Sequence, residues 1–284
     1  MTERAPRDRL NFLLVHGAWH GAAHWERVAA ALAAAGHRST AIDLPGCGPG
    51  AALPASYVTQ DLAALATEAS PVAHVTLEDQ TAAVVSALID LQAHGPVVVV
   101  AHSAGGLPVT AALEQAPERV DRVVYVAAHC PVAFPSMLGY LAVPESADAA
   151  LAAAFLGDAQ VLGAVRINPR ATDPDYRALL RQGFYNDLDA ADAQAFIDRM
   201  TPDLPARIAV DEVHITPRRW GRVRRSFIRT LRDRALPLAL QDRMITDADA
   251  LTPWNPFDVH SLDSGHSPFA SRPEALAALL CRAS

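Results

Sequence analysis

Ser103 sits in Val97-Val98-Val99-Val100-Ala101-His102-Ser103-Ala104-Gly105-Gly106, an unbroken apolar run that feeds into a small-residue turn carrying one hydroxyl. A serine on a sharp strand-to-helix turn stands at the end of its strand, where its oxygen can attack a carbonyl carbon. The turn needs small residues on both sides, because larger side chains would strike neighbouring backbone. Ala101 and Gly105 meet that need, although glycine is usual at both places and Ala101 departs from it by one methyl group. A serine hydroxyl attacks only when a neighbouring base takes its proton, and that base needs a carboxylate on its far nitrogen to fix the tautomer.

Of eleven histidines, His266 fits the base. Phe257–Leu262 reads as a strand, and Asp263-Ser264-Gly265-His266-Ser267-Pro268-Phe269 is the loop at its carboxyl end, the edge where open α/β sheets place their sites. The next helix is introduced by Ser271-Arg272-Pro273-Glu274, spaced as a capping box. His37, His74 and His94 fall near helix or loop ends and read as solvated. Asp233 fits the carboxylate, since it follows the apolar-alternating run Ser226–Leu231 and precedes Ala235-Leu236-Pro237, where a helix can begin. Asp242, Asp247 and Asp249 fall within or just after that helix, and Asp263 is too close to His266 to aim well.

A tetrahedral intermediate would carry a negative oxygen, and loss of one backbone donor to it costs roughly 3–4 kcal/mol. Phe12-Leu13-Leu14-Val15-His16-Gly17-Ala18-Trp19-His20-Gly21 is a short strand ending in a glycine-rich loop. The N–H of Ala18 in that loop and the N–H of Ala104 after the serine are the two candidate donors.

Positioning these residues requires strands alternating with helices, hence a mostly parallel central sheet with helices on both faces. Strands are expected at Phe12–Val15, Thr40–Leu44, Val97–Ala101, Arg122–Ala128, Ser226–Leu231 and Phe257–Leu262. Helices are expected at Glu26–Ala35, from the cap Thr76 to Gln92, and at Ala104–Glu114. Residues 51–73 show no period. From Pro131 to about Arg222 the pattern changes to Ala-rich, acidic helical stretches broken by prolines: Ala147–Leu156, Tyr176–Gln182 and Ala190–Met200. The expectation is an α/β core, residues 1–130 and 222–284, with a helical cap of residues 131–221 inserted over the site.

Composition narrows the classes. The chain has 284 residues, 51% of them hydrophobic, enough for one buried core with an insertion. A net charge of −7 argues against nucleic acid or an anionic membrane as partner. There is no lysine, so all 24 basic residues are arginine, which excludes lysine Schiff-base chemistry and a P-loop. Cys47, Cys130 and Cys281 have no metal-ligand spacing, so no metal and reduced thiols are expected. No signal-peptide or membrane-span run is visible, giving a cytoplasmic expectation. The expected partner is a small-molecule ester; oligomeric state stays open, a homodimer included.

Leu14-Val15-His16-Gly17-Ala18-Trp19-His20-Gly21-Ala22 with Trp25, Ala41-Ile42-Asp43-Leu44, the Ser103 turn, Thr230–Pro237 and the His266 loop resemble the plant methyl esterase and hydroxynitrile lyase branch of the α/β-hydrolases. The order Ser103, Asp233, His266 is that of the same superfamily. The resemblance implies an α/β-hydrolase fold, a triad of those three residues, an oxyanion hole from Ala18 and Ala104, an apolar pocket under a helical cap, and ester hydrolysis without a cofactor. Lyases of this branch carry threonine after the first-loop histidine and lysine after the catalytic one. Here those residues are Gly17 and Ser267, so cyanohydrin cleavage is disfavoured. Two alternatives stand beside the esterase. One is a pathway enzyme using the same triad for lactone opening, cyclisation or elimination; the other is a small-molecule receptor with little turnover. Gly17, Trp19, His129, Phe155, Phe184, Tyr185 and Trp220 are the candidate pocket walls. Trp25 reads as core with Val28 and Leu32, and Arg218–Arg225 as a solvated stretch.

Overall fold

The computed structural model describes residues 9–282; the outermost residues of the expected core segments, 1–8 and 283–284, lie outside it. Among the described residues eight strands are formed: β1 (Asn11–Val15), β2 (Arg38–Ile42), β3 (Val97–His102), β4 (Arg122–Val126), β5 (Ala164–Arg166), β6 (Asp203–Pro205), β7 (Arg225–Thr230) and β8 (Asp258–Leu262). Six of them make one sheet in the order β2-β1-β3-β4-β7-β8, with every neighbouring pair parallel.

The valine run of β3 is buried along its whole length, as a central parallel strand covered on both faces must be. Alternate residues serve opposite faces. Val98 and Val100 join Phe12, Leu14, Val124 and Ile228 in a core with Val28 and Leu32 of helix Glu26–Ala34 and Leu276 and Leu280 of helix Pro273–Arg282. Val97, Val99 and Ala101 join Leu13, Val15 and Phe227 in a second core with residues of helices Leu77–Gln92, Gly106–Gln115 and Leu238–Leu251. Trp25 lies in the first core, fully buried. Thr76 caps helix Leu77–Gln92 through a capping box with Asp79.

Several expectations are corrected. Ser271 ends a short helix, Pro268–Ser271, and its buried hydroxyl has no hydrogen-bond partner, so the expected capping box with Glu274 is not made. His37 is buried, its ring edge-on to Phe12 at 5.7 Å, because the turn after the first helix folds it under β1. His74 and His94 are exposed. Arg225 leaves the solvated arginine run: it is buried, stacked over Trp220 and Phe257, and its guanidinium is bonded to Thr252. Residues 51–73 contain the short helices Ala55–Thr59 and Leu62–Leu65.

Between β4 and β7 the chain leaves the sheet. Helices Pro174–Phe184 and Ala190–Ile197 form where expected, N-capped by Asp173 and Asp189. Ala147–Leu156 is not an α-helix. The Ala149 N–H bonds three residues back to Ser146 and the Ala150 N–H bonds to the Arg234 carbonyl, so only 3-10 turns at Pro144–Ser146 and Leu151–Ala154 survive. The segment also carries strand pairing, β5 antiparallel to β6, held by buried Arg166 bidentate to Asp203 at 2.6 and 2.7 Å. Its apolar side chains Ala154, Ile167, Phe184, Phe196 and Leu204 join the first core of the sheet.

Candidate active site

Ser103 follows β3 directly and has φ +51°, a left-handed conformation that a side chain adopts only when its surroundings impose it. The imposition is visible. The His129 N–H, beyond the end of β4, donates to the Ser103 carbonyl at 2.9 Å. A Cβ on Gly105 would come within 2.3 Å of the His16 carbonyl oxygen, and one on Gly106 within 1.9 Å of the His129 carbonyl oxygen. Both glycines therefore let the flanking β1 and β4 loops close on the turn. Sequence reasoning found Gly105 and missed Gly106, whose signal was the doubled glycine itself.

Ser103 Oγ lies 2.9 Å from His266 Nε2, and His266 Nδ1 lies 2.8 Å from Asp233 Oδ2. An ionised carboxylate only accepts, so Nδ1 carries the proton and the Nε2 lone pair faces the serine. Asp233 Oδ1 accepts the Ala235 and Leu236 N–H groups at 2.8 Å each, and Oδ2 also accepts the Thr230 hydroxyl at 2.8 Å. Gln241 ties this loop to β7, its amide accepting from the Thr230 N–H and donating to the Leu236 carbonyl. The His266 carbonyl accepts from His102 Nε2 at 2.8 Å. The rival carboxylates serve elsewhere: Asp242 pairs with Arg229, Asp247 with Arg243, Asp249 accepts the Phe257 N–H, and exposed Asp263 pairs with Arg232.

Ala18 and Ala104 both line the cavity beside Ser103. The Gly17 carbonyl accepts from His16 Nδ1 at 2.8 Å, while His16 Nε2 accepts the Leu44 N–H. The bond to the Gly17 carbonyl fixes the orientation of the peptide between Gly17 and Ala18. The next peptide is fixed as well: His20 Nδ1 donates to the Ala18 carbonyl at 2.7 Å, and the Tyr185 hydroxyl donates to His20 Nε2 at 2.8 Å. Trp19, at φ +61°, has its carbonyl bonded to the Thr201 N–H and its indole N–H to the Val165 carbonyl. Burial holds His16, His20 and His102 below the ordinary imidazole value and lowers His24 and His129 to about 4, so these rings are neutral. Burial also raises the Cys47 and Cys130 thiols to about 12, which keeps them protonated.

A cavity of 530 Å³ opens over Ser103. Trp19, His129, Phe155 and Phe184 are among its walls, as the sequence suggested. Three of the expected wall residues are not. Tyr185 lies behind the wall, fully buried with its hydroxyl on His20. Trp220 belongs to the second core, where its indole N–H donates to Tyr125 at 3.1 Å. Gly17 sits beneath the nucleophile, where an added Cβ would stand 2.5 Å from the Ser103 Cβ. Walls that sequence reasoning missed include Leu156 and Met137, Leu138 and Leu141, the last three spaced as one face of the short helix Met137–Leu141, which was the signal available. Among the described residues no cluster of three or more His, Cys, Asp or Glu side chains could hold a metal, and no helix is long and apolar enough to cross a membrane.

Residues 12–279 match the model of the alpha/beta hydrolase family. Two chloroplastic Arabidopsis thaliana proteins, provisionally named methylesterases 15 and 11, are each 28% identical over 95% of this chain. The chain spans only 55% and 63% of their lengths. A solved Arabidopsis methylesterase is 26% identical, with TM-score 0.68, covering 96% of this chain and 98% of its own. A pyrethroid hydrolase from Sphingobium faniae shares the fold at TM-score 0.75 and 21% identity, covering 96% of each chain.

Proposed function

The chain belongs to the alpha/beta hydrolase family, and from that premise we propose that it hydrolyses small, largely apolar carboxylic esters through an acyl-enzyme on Ser103. The observation that carries this reading is the continuous path from Asp233 through His266 to Ser103 Oγ, with bonds of 2.8 and 2.9 Å, ending at a mainly apolar 530 Å³ cavity. His266 Nε2 takes the serine proton as Oγ forms its bond to the ester carbon, and Asp233 stabilises the imidazolium. The carbonyl oxygen becomes an oxyanion facing the Ala18 and Ala104 N–H groups. On collapse the bond to the alcohol oxygen breaks and His266 returns its proton to that oxygen. A water molecule, deprotonated by His266, then releases the acid and restores Ser103. The segment between β4 and β7 acts as the cap that encloses the substrate.

Lyase chemistry finds no support at the two positions that would carry it. A threonine in place of Gly17 would bring its Cβ within 2.5 Å of the Ser103 Cβ, and Ser267 is fully buried and uncharged. The test is turnover of short aryl esters by purified protein with chelator present, beside cyanide release from mandelonitrile. Ester hydrolysis with no cyanide above background is expected. Cyanide release outpacing ester hydrolysis would overturn the reading, and so would tight ligand binding with negligible turnover across a broad ester panel.

A further inference from the structure

The cavity over Ser103 is walled mainly by carbon, and nearly all of its polar side chains are already committed to the protein. The Trp19 indole N–H is bonded to the Val165 carbonyl. Arg166 is fully buried against Asp203 and the Leu65 and Glu68 carbonyls. The Ser146 hydroxyl is bonded to the Leu141 and Val143 carbonyls. Ser103 and His266 are joined to each other. Among the described residues that leaves His129, which lines the cavity at 4% exposure with its Nδ1 buried and unpartnered.

A buried ring nitrogen with no partner is costly, and mere packing would be met better by an apolar ring. Its placement is also fixed. The His129 N–H is bonded to the carbonyl of the nucleophile's own residue, and its carbonyl is packed against Gly106. His129 therefore has one rigid position relative to Ser103. Ala127, two residues earlier, is at φ +42° and shows the strain by which the chain leaves β4 to reach that position.

We propose that His129 is a specificity-determining residue: it donates a hydrogen bond to an oxygen of the substrate other than the reacting carbonyl, and so selects uncharged esters bearing an ether, keto or hydroxyl oxygen over hydrocarbon esters of the same shape. The donor role follows from which ring nitrogen is the cheaper to leave unpaired. An orphaned acceptor is tolerated better than an orphaned N–H, so Nδ1 keeps the lone pair and Nε2 carries the proton. Burial holds the ring neutral, and the nearby His266 adds to that effect. A neutral donor gives a substrate carboxylate no ion pair to offset its loss of water in an apolar cavity. The proposal rests on the ester-hydrolase reading, and its test separates the two.

The test compares matched pairs differing only by an oxygen in place of a methylene. On the acyl side these are p-nitrophenyl hexanoate and its analogues with an ether oxygen at position 3, 4 or 5. On the alcohol side they are butyl and 2-methoxyethyl butanoate. Each kcat/KM is divided by the ester's own alkaline hydrolysis rate. At least one oxygenated member should be preferred about tenfold or more, the ratio falling to about one in His129→Phe. His129→Gln, which keeps a donor at another reach, should retain a preference but shift the favoured position. If His129→Phe does not fold, His129→Leu gives the same reading. Calorimetric binding of the same pairs to Ser103→Ala protein, with and without the His129 change, reports recognition even if no ester is turned over. Absence of any preference on either side, or a preference that survives both apolar substitutions, would overturn the proposal. Absence of turnover alone would overturn only the hydrolase reading.

Discussion

The carboxyl edge of the sheet and the segment between β4 and β7 face the same cavity but are built differently. At the sheet edge the chemistry-bearing groups hang on strand ends and are held by backbone: Ser103 by the His129 N–H, Asp233 by two N–H groups, His266 by the bond from His102 to its carbonyl. In the segment the elements are short helices, 3-10 turns and one three-residue strand pair, and Leu138, Leu141 and Phe155 face the cavity while remaining partly open to solvent. Polar groups there hold the segment together and tie it to the core, as Arg166 does with Asp203 and with the Leu65 and Glu68 carbonyls. Geometry that must be accurate to fractions of an ångström sits on the rigid edge, and shape that can vary without disturbing it sits on the insertion.

The largest effect should come from the edge. Asp233→Asn keeps the shape of the side chain but favours the wrong imidazole tautomer, and should lower kcat by about 10⁴-fold with the melting temperature nearly unchanged. Steady-state kinetics beside calorimetry check this; an Asp233→Asn enzyme within tenfold of wild type would break the contrast. Gly106→Ala places a methyl against the His129 carbonyl, a backbone atom that cannot swing aside. It should destabilise the fold by about 1–3 kcal/mol and reduce activity with it, read by denaturant unfolding.

Acid should act on the edge as well. His24 and His129 are held near 4 when folded, against 6.5 when free, so the unfolded chain takes up more protons below pH 6.5. Stability from these groups is complete above pH 6.5 and is lost as pH falls toward 4, by up to about 1.4 kcal/mol per unit for each ring. The insertion's histidine, His214, is largely exposed and beside Glu212. Unfolding midpoints measured from pH 7 to 4.5 should fall, and a flat profile would contradict the buried neutral rings. The smallest effects belong to the insertion: Phe155→Ala, at a half-open position, should change preference among acyl chains by less than about tenfold and leave stability almost untouched.

The same contrast explains what could be read from the sequence. Ser103, Asp233 and His266 announce themselves because a valine run, a turn-rich loop and a strand ending before a helix are local signals, and parallel strands bring local signals to one edge. Thr76 was legible as a helix cap for the same reason. Gly106 was less visible, since its need comes from a loop 23 residues away. The insertion was least legible. Alanines at 147–156 favour helix in isolation, but bonds to Ser146 and Arg234 hold that stretch in 3-10 turns. Tyr185 and Trp220 are aromatic and lie in the segment, yet their polar atoms are drawn to His20 and Tyr125, contacts that no spacing rule encodes.

The central claim is that Ser103 is the nucleophile, and covalent trapping tests it most directly. A fluorophosphonate should form one adduct per chain, with fluoride leaving as the serine oxygen bonds to phosphorus. Peptide mass spectrometry should place the adduct on Ser103, with ester hydrolysis lost in proportion to labelling and no adduct on Ser103→Ala. Full labelling at another residue, or full esterase activity from a fully labelled Ser103, would contradict the account.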